Sequence, residues 1–291
     1  MPKPLISVGQ LIDESFNVYK TRITELLGVS GWILVTAILY VIALAFYPSS
    51  SALTLRSDLT GGEMFGIGLY ALTAYLIAPI LTFWIYTSLT RMVKTHLSRK
   101  RPDHKMALKE GKEVLIPAAI TTFMVLLMLL LAIVIGFAPP AIIAGIGAWL
   151  NVSGLVLIGN LLLVLGIFVA LYLSFQWMVY YFFAPIITIL EKTPSKKALE
   201  ASRKLVRGKF WQALIRIVVP KLVFIAFGLF VMVIVGYIGN VLVDASAGIS
   251  LDLQLRIATM TDAVLPTLIV IFINPLIIIS DVLLYQSIKD A

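Results

Sequence analysis

The sequence predicts an all-α integral membrane protein: six transmembrane helices in three hairpins, with amphipathic cytoplasmic interfacial helices and both termini in the cytoplasm. Three observations predict it. The 291 residues are 60% hydrophobic and 13% charged, with mean hydropathy +1.01, against about 45–50% apolar and about 25% charged in soluble domains. Most of the chain lies in charge-poor runs, each of the ~20 residues or more that a helix needs to cross a bilayer, and none alternates like an outer-membrane strand. Lys and Arg gather in two of the five connections between these runs, as expected where cytoplasmic loops are basic.

The composition also narrows the function. Cysteine is absent, which excludes disulfides, thiolate metal sites and thiol redox chemistry. The net charge of +8, from 23 Lys and Arg against 15 Asp and Glu, marks cytoplasmic loops rather than a nucleic-acid partner. No signal peptide is expected, because the first apolar run lies behind a charged leader and lacks a small-residue cleavage site. Residues 1–291 are read as a single transmembrane domain.

In chain order, Val8, Leu11, Ile12, Phe16, Tyr19 and Ile23 recur at helical spacing between polar residues, predicting an interfacial helix over about 7–24. Ser7 is its expected N-cap, with Gln10 completing a capping box. Spans are predicted at about 26–47, 64–92, 114–137, 155–190, 213–243 and 263–284. Between spans 3 and 4, residues 138–152 open on Pro139-Pro140. They read as a short interfacial helix in preference to a re-entrant segment. Span 4 is too long for the ~30 Å core and must tilt, bend near Pro185 or project beyond it.

The basic connections are 91–113 and 191–212. Eight Lys or Arg fall in 91–113 and seven in 191–212, with Arg216 just beyond, whereas the connections after spans 1, 3 and 5 hold one, none and one. The positive-inside rule therefore puts both long connections, and with them both termini, in the cytoplasm. The predicted location is the inner or plasma membrane, spanned several times.

Shifting the leader by 187 positions lays Asp13–Leu27 over Glu200–Leu214, with Ser15 on Ser202 and matched types at Asp13/Glu200, Lys20/Arg207 and Arg22/Lys209. Pro79, Pro185 and Pro275 sit in similar contexts in the three returning spans and are candidate helix kinks. The opening ISVGQLIDESFNVYKTRITELLGVS, the central ALEASRKLVRGKFWQAL and the closing NPLIIISDVLLYQSI resemble the prokaryotic six-span family named for the membrane domain of glycerophosphoryl diester phosphodiesterase. The resemblance implies fold and membrane location. In the fused members a soluble phosphodiesterase barrel carries the activity; here a stand-alone membrane domain is expected, and the enzyme name does not transfer.

No catalytic constellation emerges, and the chain is read as non-enzymatic, without a cofactor or a metal. Metal-assisted phosphodiester hydrolysis needs clustered His and acidic ligands; His96 and His104 are the only histidines, and both fall in the basic 91–113 stretch. Gly61-Gly62-Glu63 and Arg207-Gly208-Lys209 are too short to be phosphate-cradling loops.

Ionisable residues inside spans are costly and mark function more often than surface ones. Lys221 and Asp281 form the candidate intramembrane polar pair. Two readings stand: the residues pair, or Lys221 snorkels to the headgroups while Asp281 faces water. Asn160, Gln176, Asn240 and Asn274 are expected to be buried amides bonding between helices. Candidate anionic-lipid contacts are Arg91, Lys94, Arg99, Lys100, Arg101, Lys196, Lys197, Arg203, Lys204, Arg207 and Lys209, with a purely topological role as the alternative.

The expected partners are the lipid bilayer, through anionic lipids on its cytoplasmic face, and a second membrane protein or another copy of the chain. The expected function is membrane organisation, assembly or lipid interaction. The competing reading is a small-solute or lipid permease with a polar site among spans 4 to 6.

Overall fold

In the computed structural model, residues 4–49, 58–98, 103–245 and 251–291 are described, and among them there is no strand. The helices are α1 (Val8–Thr21), α2 (Ile23–Phe46), α3 (Gly61–Leu97), α4 (His104–Trp149), α5 (Ser153–Tyr181), α6 (Ala184–Glu191), α7 (Ser195–Val206), α8 (Phe210–Ala245) and α9 (Leu251–Asp290). Six stretches are long and apolar enough to cross a membrane: α2, α3, α4, α5 with α6, α8 and α9. The chain is thus an all-α, multi-pass membrane protein.

The helices outrun the predicted spans, because a hydropathy window ends where charge begins while backbone hydrogen bonding does not. Residues 251–262, expected as loop, are helical. The short interfacial helix expected over 138–152 is not formed either. Helix α4 runs through Pro139 and Pro140 to Trp149 as one rod of 46 residues, ~69 Å long. Two missing amide donors should weaken it there; the compensation is close packing on α5. A Cβ on Gly159 would fall 2.6 Å from Ala144 N, and one on Gly147 2.7 Å from Val156 N, so these backbones are in contact. The turn at Leu150–Val152 is made by Asn151 at φ 53, a left-handed conformation that Asn tolerates.

The chain divides into two compact units. One comprises 116–215 and 288–291, and α4 packs on α5 there as above. Span 4 is broken at Phe182–Phe183, and α6 restarts with Pro185 in its first turn, where the missing donor costs little. Helix α7 lays Ala198, Leu199, Ser202 and Val206 inward, and Ser202 Oγ donates to Tyr180 O at 2.7 Å. The hydroxyls of Thr121 and Thr188 lie 2.9 Å apart, and Ser195 Oγ accepts from Thr121 at 2.9 Å. Between α7 and α8, Gly208 takes φ +83, a turn that a side chain would strain. Phe210 then packs on Tyr180 and Phe175, with ring centroids 5.5 and 6.1 Å away.

The other unit, of residues up to 115 and 216–287, contains α1 to α3 and the α8–α9 hairpin. Ser7 caps α1 in a full capping box with Gln10. A Cβ on Gly66 would fall 2.6 Å from the Phe46 carbonyl carbon, and one on Gly228 2.9 Å from Ile273 Cγ1. Consecutive spans are therefore sealed at glycine in both hairpins. In α3 the backbone forms a π-turn over Thr73–Ile77 just before Pro79. At Pro275 helix α9 runs on without interruption.

Candidate functional site

Helix α8 carries Lys221 immediately after Pro220, and α9 carries Asp281 nine residues before its end. The structure brings them together: Lys221 Nζ lies 3.1 Å from Asp281 Oδ1, with the two side chains 23% and 9% exposed. The carboxylate is buried and the lysine side chain half-buried. Two buried charges are held by mutual attraction that must outweigh their desolvation, and removing one partner typically costs ~3–5 kcal/mol. Tyr86 of α3 lies within electrostatic reach of Asp281.

Helix α1 closes over this end of the hairpin. Its apolar face sets Ile12, Phe16 and Tyr19 against a core of Phe224, Ile273 and Leu276. Phe16 meets Phe224 edge-on at 5.5 Å and Phe227 at 6.4 Å, a favoured aromatic geometry. Burial pushes the Tyr19 hydroxyl above its usual pKa. The residue before the cap is pinned on both sides: Ile6 N donates to Ser287 Oγ at 2.9 Å, and Arg216 Nε donates to Ile6 O at 2.6 Å. The leader is thus tied to α8 and α9 at once.

The lipid-contact candidates divide. Lys196, Lys197, Arg203, Lys204 and Arg207 are exposed, whereas Lys94 and Lys209 are half-buried. Arg91 departs from expectation: its side chain is 9% exposed and its Nε lies 3.3 Å from Glu110 Oε2. A neighbouring carboxylate draws it inward. Arg99, Lys100 and Arg101 lie outside the described residues.

The four amides also depart from expectation. Asn160 and Asn240 are exposed, Gln176 and Asn274 are only half-buried, and none has a side-chain hydrogen bond among the described residues.

Two arginines with clear tasks were not legible in the sequence. Arg216 holds Ile6. Arg256, the single basic residue between spans 5 and 6, donates from Nη1 to Leu44 O at 3.3 Å and to Ala45 O and Tyr47 O at 3.0 Å. It thus covers free carbonyls at the C-terminal end of α2, where positive charge is favoured. Backbone acceptors have no residue identity, so neither bond leaves a sequence pattern beyond an isolated arginine. Among the described residues, no three His, Asp or Glu side chains gather closely enough to hold a metal ion.

No curated protein and no solved structure matches the chain. Residues 155–290, from α5 to the end of α9, match the model of the family described as the membrane domain of glycerophosphoryl diester phosphodiesterase, the family that the sequence resembles.

Proposed function

We propose that this chain is a non-enzymatic protein of the inner or plasma membrane that organises the bilayer by binding anionic lipid headgroups on its cytoplasmic face. The observation that carries the reading is the division of α7. Its inner face is Ala198, Leu199, Ser202 and Val206; its exposed face holds Lys196, Lys197, Arg203 and Lys204, continued by Arg207, against one acid, Glu200. Each such cation near an anionic surface is worth ~1 kcal/mol. Trp211, 68% exposed at the start of α8, is the kind of side chain that settles at headgroup depth. The sequence bias of Lys and Arg supports the cytoplasmic assignment of this face and of both termini.

The test is native mass spectrometry of protein extracted from bilayers mixing phosphatidylglycerol and phosphatidylcholine. The wild type is expected to retain phosphatidylglycerol, and a variant with all five residues replaced by Gln to lose it. Equal retention of both lipids by the wild type would overturn the proposal.

A permease is the second reading, favoured by the mostly buried Lys221–Asp281 pair at 3.1 Å. Solute-specific flux into liposomes that Asp281→Asn abolishes would establish it and displace the organising role.

A further inference from the structure

The outer face of the α8–α9 hairpin carries features that neither lipid headgroups nor the ion pair explain. A groove of about 230 Å³ runs between the two helices, lined by apolar side chains and by one amide, Asn274. At about 100° per residue, Ile225, Leu229, Met232, Gly236 and Asn240 fall on one stripe of α8, beside the glycines that face α9. Gly228 and Gly239 are filled, by Ile273 and by Thr261 and Leu265, whereas a Cβ on Gly236 would meet nothing within 4 Å. On α9 the matching stripe is Val270, Asn274 and Ile277.

Hydrocarbon satisfies no amide, and an unbonded one costs free energy there. Asn274 lines the groove, half-buried, and Asn240 is exposed on the α8 stripe; neither has a side-chain hydrogen bond among the described residues, and the open Gly236 admits close approach of a helix. An acyl chain would fill the groove but bond neither amide. A carboxamide carries both donors and an acceptor, so it is complementary to a copy of itself across a two-fold axis, the commonest symmetry of homo-oligomers. We propose that this face binds a second copy of the chain, with Asn274 hydrogen-bonded across the dimer axis. The inference does not depend on lipid binding by α7.

The chain has no cysteine, so single cysteines report cleanly. Leu229→Cys, Met232→Cys and Val270→Cys are introduced one at a time, with Leu165→Cys on α5 as a lipid-facing control, and oxidised in native membranes. At least one of the three is expected to give disulfide-linked dimers well above the control. In a fluorescence dimerisation assay in liposomes, Asn274→Leu is expected to weaken association about three- to twentyfold, the range for one interhelical hydrogen bond, while Asn274→Gln retains most of it. Cross-linking no better than the control at all three positions would overturn the proposal. So would a monomer at every protein-to-lipid ratio, including one that carries a bound lipid chain in the groove.

Discussion

Helices α1 and α7 are two versions of one device. Each begins 187 residues from the other, at Val8 and Ser195, and each feeds a span whose start is offset by the same 187, at Ile23 and Phe210. Within the two helices the one identical residue is a serine fully buried in both, Ser15 and Ser202. Their outward faces differ. Helix α1 mixes Asp13, Glu14 and Lys20, and α7 presents a run of Lys and Arg. Their moorings differ too: α1 lies on the α8–α9 hairpin and is pinned ahead of its cap, while α7 lies along span 4. An inward face built to dock has been kept, and the outward face has diverged from strap to cationic surface.

The largest effect is expected beneath α1. Asp281→Leu leaves the Lys221 ammonium without its buried partner and is expected to cost ~3–5 kcal/mol, measured as lost stability in detergent unfolding followed by tryptophan fluorescence. Lys221→Met leaves the more buried Asp281 carboxylate unpaired and is expected to cost at least as much. The double variant should recover most of the loss, because an apolar pair can replace a buried ion pair at little net cost. If the double variant is no more stable than Asp281→Leu, the pair is not the element that supports the hairpin.

Next in size is the docking face itself. Phe16→Ala removes edge contacts to Phe224 and Phe227 and should cost ~2–3 kcal/mol, below the range for a fully buried ring, because Phe16 is only part-buried. The corresponding cut in α7, Leu199→Ala, should cost a similar ~2–3 kcal/mol. Limited proteolysis separates the two: each variant is expected to expose its own helix and leave the other protected. Loss of both in either variant would mean that the two helices do not dock independently.

These features were unequally legible. The capping box at Ser7, the six spans and the register of the repeat all rest on local chemistry, which the order of residues writes down directly. The continuation of α4 through Pro139-Pro140 was hidden because glycine-to-backbone packing on α5 overrides a local helix-breaking signal. Arg91 could not be distinguished from the other basic residues of its connection, since the carboxylate that draws it inward, Glu110, lies on the next helix, α4. The Lys221–Asp281 pair was half legible: depth along each helix made it geometrically feasible, but only tertiary structure sets which helix faces meet.

The smallest effect concerns the residue shared by both helices. Ser202 Oγ donates to Tyr180 O, 22 residues away, so its bond ties α7 to α5. Ser15 Oγ donates to Leu11 O, four residues back in its own helix, so its bond ties α1 to nothing else. Ser202→Ala should therefore lose ~1 kcal/mol, the net worth of a buried hydrogen bond, and leave a carbonyl with one fewer donor. Ser15→Ala removes a bond that competes with the helix rather than docking it and substitutes the best helix former, so it should be neutral or slightly stabilising. Paired thermal unfolding curves decide the matter. Equal losses would mean that the serine is kept in both helices for its volume alone, and opposite signs would mean that one position now performs a tertiary task in α7 that it does not perform in α1.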